Sequence, residues 1–501
     1  MANIVLTTLN ARYIHSAFGL RYLIANMGEL QAQTEIVEFT INQRATEIAE
    51  HLLVRQPRII GLGVYIWNVS EISAVVAILK QVAPEILIVL GGPEVSHPPD
   101  LPDLADLADY VITGPGEQGF AGLCQQLLNG TPPSEKLIAG NNPALDALKL
   151  PYDFYSDTDI RQRIVYVEAS RGCPFKCEFC LSSLDQTAKA FSLQAFLQAM
   201  DKLYQRGTRH FKFIDRTFNL KVDTSVAIME FFLERLTPDL YLHFEVIPDH
   251  LPARLKLAIA KFPAGTLQFE IGIQSFDTEV QQRISRKQDN QKSAENLRWL
   301  RQHSQAHIHA DLIVGLPGDT LEGFGRSFDQ LYALRPQEIQ VGILKRLRGA
   351  PINRHNDAYQ LRYDPNPPYT ILSTRDMDFA TLQRLNRFAR FWDLIGNSGR
   401  FPNSLPLILA KQPFARFLQT SDAIYTLTDS TWQIALKRLF ELLLTVMTDS
   451  LAIPSSAAIE ALEADYIRTG EKSKPAFLID TAINQKSAGK ANKRQQQILA
   501  S

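Results

Sequence analysis

Cysteine is scarce in this 501-residue chain: there are four, three of them inside eight positions and Cys124 alone. A disulfide-stapled secreted fold would spread its cysteines through a much shorter chain. The distribution points instead to one metal centre in a cytoplasmic protein. A surplus of either charge is also missing. Lys and Arg total 52 against 53 Asp and Glu, a net charge of −1, so neither a basic nucleic-acid binder nor an acidic tail protein is expected. No stretch of about 18 uninterrupted apolar residues occurs, so no membrane span is expected. The run Leu439 to Met447 is too short and reads as a buried helix. Met1 to His15 lack a charged start, an apolar run and a small-residue cleavage site, so no secretory signal is expected.

What is present is an ordinary globular balance, 45% hydrophobic and 21% charged residues. The length calls for two or three domains. Residues 1–135 alternate apolar strands (near residues 3–9, 35–40, 59–65, 86–90 and 110–113) with amphipathic helices. Five such strands imply a parallel sheet covered on both faces, a flavodoxin-like, Rossmann-like α/β domain that binds ligands at its strand carboxyl ends. Residues 136–160 are rich in Pro and Asn and read as a linker. Residues 161–355 alternate again, with strand candidates near 164–169, 210–214, 242–246, 267–273, 309–314 and 338–343. Six strands are too few for a full eight-fold barrel and suit a partial (β/α)6 TIM-type barrel. Residues 365–482 turn helical: Phe379, Leu382, Leu385, Phe388 and Trp392 repeat at spacings of three and four. Residues 483–501 read as a disordered basic tail.

The segment IVYVEASRGCPFKCEFCLSS carries an apolar strand into a loop with Cys173, Cys177 and Cys180. Thiolate sulfur is the natural ligand of iron–sulfur clusters. Three thiolates leave one iron open. A zinc site would want a fourth ligand in paired spacing, and the next histidine downstream is His210. Cys124, in FAGLCQQLL, falls at a helical core position and reads as packing.

The C-x3-C-x2-C loop after a first barrel strand, with Phe179 before the last cysteine, resembles the radical S-adenosylmethionine (SAM) superfamily. The resemblance implies a 4Fe–4S cluster on the three cysteines, S-adenosylmethionine on the open iron, and reductive cleavage to a 5′-deoxyadenosyl radical. HADLIVGLPGDT is similar to the family's fifth-strand pattern and implies cofactor contacts from Asp311, Ile313, Gly315 and Asp319. FEIGIQSFD resembles the fourth strand and implies Glu270, Gln274 and Ser275 in the barrel or at its mouth. Glu245 and Arg286 are further candidates. The family's Gly-Gly-Glu after the second strand is replaced by FIDRTFN, with Asp215, Arg216 and Asn219.

In the first domain, LGGPEVSHPP and DYVITGPGEQGF put small residues at strand carboxyl ends, where backbone must approach a ligand closely. In front of the cysteine loop this order resembles the cobalamin-binding domains of radical SAM enzymes, and it implies corrin contacts from Gly91, Gly92, Gly114, Gly116 and Glu117. His15 has Tyr13, not Asp, two residues before it. Lining the pocket, capping the next helix and ligating cobalt all stay open for it. Tyr65, Trp67 and Asn68 could face the ring. The helical end resembles an uncharacterised DUF4080-like domain, and the interleaved arginines Arg384, Arg387 and Arg390 read as one charged face of an amphipathic helix.

The resemblance implies a cobalamin-dependent radical SAM enzyme, best read as a C-methyltransferase on a small molecule. An electron donor such as flavodoxin or ferredoxin would serve it. A cyclase or rearrangement enzyme, similar to the oxygen-independent porphyrin-ring cyclase, is the enzymatic alternative. A methylthiotransferase would need three further cysteines, and a non-catalytic cobalamin sensor has no use for an open iron.

Overall fold

The computed structural model describes residues 3–471 and 473–478. The expected tail at 483–501 and the end of the expected helical region lie outside them. The first sheet holds β1 (Ile4–Asn10), β2 (Thr34–Thr40), β3 (Ile59–Gly63), β4 (Leu87–Gly91), β5 (Tyr110–Thr113) and β6 (Leu137–Ala139). All six are parallel, in the order β2-β1-β3-β4-β5-β6. The sixth strand comes from the stretch expected to be linker, which also carries a capped helix, Asp157–Gln162. A three-residue strand flanked by Pro and Asn leaves too short an apolar run to stand out. Every residue of β1 is buried, because helices cover both faces of the sheet.

The second sheet is also parallel and six-stranded. It contains β7 (Val165–Val167), β10 (His210–Phe213), β11 (Tyr241–Val246), β12 (Leu267–Gln274), β13 (His307–Val314) and β14 (Glu338–Ile343), ordered β14-β13-β12-β11-β10-β7. Two short strands, β8 (Ser170–Arg171) and β9 (Lys189–Ala190), pair antiparallel and flank the cysteine loop. Here burial alternates: the outward residues Phe211, Phe213, Leu242, Phe244, Ile308 and Ala310 are fully enclosed, while His210, Lys212, Glu245, His309 and Asp311 are half-buried.

The remaining helices, including Phe379–Leu394, Pro413–Thr428, Leu436–Thr445 and Ser455–Thr469, share one apolar core with the barrel. Phe388 and Trp392 meet Phe328 of the barrel helix Leu321–Ala333 edge to face, at centroid distances of 5.1 and 4.8 Å. The arginines between them are spent internally: Arg384 pairs with Asp422 at 2.6 Å, and Arg387 and Arg390 lie over Tyr425 and Trp432. Among the described residues no helix is long and apolar enough to cross a membrane.

Candidate functional site: two adjoining cofactor cavities

A cavity of about 850 Å³ opens at the carboxyl ends of β1, β3, β4 and β5. Gly91, Gly92, Gly114, Gly116 and Glu117 all line it. At Gly92 the backbone is left-handed (φ +107°), and a Cβ would sit 2.5 Å from the Val64 carbonyl oxygen, so the turn admits no side chain. Tyr65 and Trp67 stack at 4.4 Å and form a flat aromatic wall. Asn68 is buried behind them and donates to the Leu9 carbonyl and Thr8 hydroxyl, so it supports the loop from behind. His15 lines the cavity, and its Nδ1 is 2.7 Å from the Tyr166 hydroxyl of β7. Buried Tyr22 Oη and Glu117 Oε2 find no protein partner. Glycine walls, one flat aromatic face and two orphaned polar atoms suit a large, flat, amide-bearing ring.

The cysteine loop lies beside it. Gly172 (φ +91°) turns the chain where a Cβ would meet the Ala188 amide at 2.9 Å. The Cys173 amide donates to the Asp185 carbonyl and the Cys180 amide to the Cys177 carbonyl. Glu178, between two of the cysteines, is buried and accepts from Arg354 Nε and His355 Nε2, each at 2.8 Å, which ties the loop to the segment after β14. All four cysteines are unpaired thiols. Cys173, Cys177 and Cys180 line one cavity of about 250 Å³ together with Arg216, Glu245, Glu270, Gln274, Arg286 and Asp311.

Among the described residues, no three His, Cys, Asp or Glu side chains converge on a single metal ion. A cluster binds each thiolate to a different iron, so its ligands need only border one cavity. Burial pushes the Cys177 thiol up, and the Arg286 guanidinium, 3.5 Å from its sulfur, acts against that shift. Gln274 Oε1 and Asp311 Oδ1 are buried here without a hydrogen bond, the latter 3.7 Å from His309 Nε2. Gln274 also holds a left-handed backbone (φ +69°) at the β12 irregularity, which aims its side chain back over Gly272. Three sulfurs beside a cation and two orphaned oxygens fit a cluster with a polar ligand that donates hydrogen bonds.

Four of the expected cofactor residues stand apart from this cavity. Ser275 is buried, and its hydroxyl accepts from the Asp277 amide and lies 3.5 Å from that of Ser327. Ile313 packs against the apolar core. A Cβ on Gly315 (φ +87°) would strike Ile371, so this glycine serves a turn. Asp319 is buried at the start of helix Leu321–Ala333, where desolvation raises its carboxyl to about 7. Asp215 and Asn219 likewise serve structure. Asp215 accepts from the Ala169 amide and the Ser170 hydroxyl, and Asn219 bonds the Ile247 backbone. Cys124 is fully buried among the apolar residues of its domain.

Arg171 is a site residue that no sequence motif singles out. It stands two residues before Cys173 and lines the larger cavity. It donates to Glu117 at 2.7 Å and to Glu168 at 2.6 Å and lies over the Tyr22 ring. Its only signal was its place in SRGC. Other ion pairs fix the first domain to the barrel side: Arg21 with Asp159 at 2.8 Å, Glu38 with Arg163 at 3.2 Å, Arg348 with Glu94 at 3.3 Å, and Arg346 with Asp100 at 2.6 Å.

Comparison with known proteins decides the family. The model described as a B12 binding domain matches residues 4–124, and that of the radical SAM superfamily matches residues 167–331. The chain is a cobalamin-binding radical SAM protein. A third model, a protein of unknown function (DUF4080), matches residues 357–500. This radical SAM protein is 24% identical over 335 residues to an uncharacterised methyltransferase of Pyrococcus horikoshii, with 61% of this chain and 70% of the relative covered. It is 24% identical over 353 residues to the cobalamin-dependent radical SAM methyltransferase TokK of Streptomyces tokunonensis, covering 63% of this chain and 51% of that one, so the match spans about half of that relative's length. In fold it is similar to the cobalamin-dependent SAM radical enzyme OxsB with aqua-cobalamin bound (TM-score 0.65, 13% identity, 99% of this chain and 83% of that one). The radical SAM enzyme therefore works with a 4Fe–4S cluster, S-adenosylmethionine and cobalamin.

Proposed function

We propose that this enzyme is a cobalamin-dependent radical SAM methyltransferase acting on carbon of a small molecule. One observation carries the reading: the two cavities abut along the same pair of strands. The larger reaches Arg171 and Ile214; the smaller starts two residues on, at Cys173 and Arg216. A substrate held between them would face both cofactors at once. The residue assignments are part of the proposal. Cys173, Cys177 and Cys180 would hold the cluster. Arg286, Gln274, Asp311, Glu245 and Glu270 would hold S-adenosylmethionine, and the glycine turns with Glu117 would hold the corrin. When bound, the cluster and S-adenosylmethionine supply a radical that removes hydrogen, and the corrin supplies a methyl group.

The chain's own contribution is positioning. Arg216 places one nitrogen 2.8 Å from both Glu245 oxygens, which fixes that carboxylate at the cavity wall. Arg286 faces Cys177 and is anchored by Gln288. The stacked Tyr65–Trp67 pair would offer the corrin a flat aromatic face. Reduced thiols support a cytoplasmic setting with a flavodoxin or ferredoxin as electron donor. The test is anaerobic reconstitution with iron, sulfide and cobalamin, read by electron resonance and by 5′-deoxyadenosine formation. Methyl-labelled S-adenosylmethionine with cell extract should then give one labelled small molecule. Deoxyadenosine without label transfer would sink the methyltransferase assignment, and no cleavage would sink the residue assignments.

A further inference from the structure

The inward face of the barrel sheet is polar on strand after strand. In a packed (β/α) barrel that face is filled by branched apolar side chains. Here HFKF, YLHFEV and HIHAD present Lys212, His243 and His309 inward, with Glu270 from β12 and Tyr166 from β7. Their outward neighbours are the fully buried ones. Lys212, Glu270, His309 and Tyr166 keep partial exposure at mid-strand, so protein atoms do not fill the space before them. Register puts Lys212 beside His243 and Glu270 beside His309. The patch joins the two cavities, because Glu270 lines the smaller and Tyr166 the larger.

The charges on this patch are matched. Lys212 Nζ is 3.7 Å from Glu270, which also accepts from His243 at 2.9 Å. Glu245, directly beside Glu270 in the register, is paired with Arg216. Burial holds His243 and His309 below the usual imidazole range, so both are neutral. Burial and the neighbouring Glu270 and Glu245 push the Asp311 carboxyl well above the usual carboxylate range. An anionic guest would meet Glu270 and a cationic guest Lys212, each already compensated. An apolar guest would strand the whole set. What remains on offer is a dense array of donors and acceptors with no net charge.

We propose that the barrel lumen, through Tyr166, Lys212, His243 and His309, binds a neutral polyhydroxylated small molecule of the sugar or nucleoside class as the substrate. This rests on the methyltransferase reading only for the word substrate; the binding class stands on the lumen itself. The test is saturation-transfer NMR on the corrin-loaded protein with S-adenosylhomocysteine saturating the cofactor site. The probes are methyl glucoside and uridine, their phosphate esters, and indole. The neutral probes should show transfer that falls about tenfold in both Lys212→Gln and His243→Phe, as loss of one hydrogen bond predicts, with corrin absorbance retained as the check on folding. Stronger transfer to the phosphate esters or to indole overturns the proposal. So does silence from both neutral probes, or transfer unchanged in the variants. Failure of the methyltransferase reading would show separately, as absent label transfer with probe binding intact.

Discussion

The two six-stranded parallel sheets of this chain are built to opposite rules. In the first, helices cover both faces and every residue of β1 is buried. Its chemistry is carried by the turns at the strand ends, where Gly92 and Gly114 hold left-handed backbone. In the second, one face packs against helices and the other turns Lys212, His243, Glu270 and His309 inward. A doubly wound sheet can place ligands only at its edge, because helices occupy both faces. A curved sheet with an open side can use its strands as well, and this one does. The first sheet thus lends itself to a cofactor at its rim and the second to chemistry in its lumen.

The sharpest way to break that contrast is at the cysteine loop. Cys177→Ala removes a thiolate that no other described side chain replaces, since the remaining cysteine is buried in the other domain. Cleavage of S-adenosylmethionine is expected to vanish and the low-temperature resonance signal with it. Corrin absorbance should persist, because the rim cavity uses none of these residues. Joint loss of both cofactors would mean that the two sheets do not act as separate binders.

Asp215 tests the cost of polar groups next to the barrel. It is buried, and desolvation raises its carboxyl to about 7 against 3.8 for the unperturbed group. Between those pH values the unfolded chain gives up the proton while the folded chain keeps it. Its contribution to stability is therefore full below pH 3.8, falls as pH rises toward about 7, and is flat beyond. The fall is on the order of 4 kcal/mol. Asp215→Asn should remove that share of the slope in chemical denaturation across this range, while Asp319, also raised to about 7, keeps its own. Parallel curves for the two proteins would show that Asp215 ionises normally.

Arg171 sits on the boundary between the two designs. Its guanidinium satisfies Glu117 from the first domain and Glu168 from the barrel, both buried. Arg171→Met leaves two enclosed carboxylates without a cation, at a cost of about 3 kcal/mol. Calorimetry should show the loss, and corrin retention should fall more than cluster iron content. Equal loss of both would mark Arg171 as a general stabiliser.

The strands and the cysteine loop were legible because each announces itself locally: a continuous apolar run, or three cysteines in eight residues. The glycine turns were legible for the same reason. The motifs imply cofactor contacts from Ser275, Ile313, Gly315 and Asp319, yet none of the four lines the cavity, and Ser275 and Asp319 are buried. A linear pattern does not say which residues of a strand end face in once an irregularity such as that between Gly272 and Gln274 shifts the register. Strand β6 was missed because a three-residue edge strand has no period to detect. The polar lumen is in plain view as alternation in HFKF, YLHFEV and HIHAD, but the family motifs draw attention only to Glu245, Glu270 and Asp311 and leave Lys212, His243 and His309 unmarked.

The smallest expected effect uses one amino acid in both settings. Cys124 and Cys177 are both largely enclosed thiols. Cys177 borders a cavity and has a guanidinium 3.5 Å from its sulfur. Cys124 has only apolar neighbours, and burial pushes its thiol up to about 12. A thiol so far from ionising is neither a ligand nor a nucleophile at neutral pH. Cys124→Ala should therefore cost only the lost packing, about 1 kcal/mol, and leave iron content, corrin absorbance and cofactor cleavage as they are. Thiol-labelling of the native protein should spare Cys124 and reach the loop cysteines once the cluster is stripped. Fast labelling of Cys124 would mean that the first domain opens where the packing says it is closed, and the contrast between an inert apolar sheet and a reactive polar one would then lie in dynamics and not in residue placement.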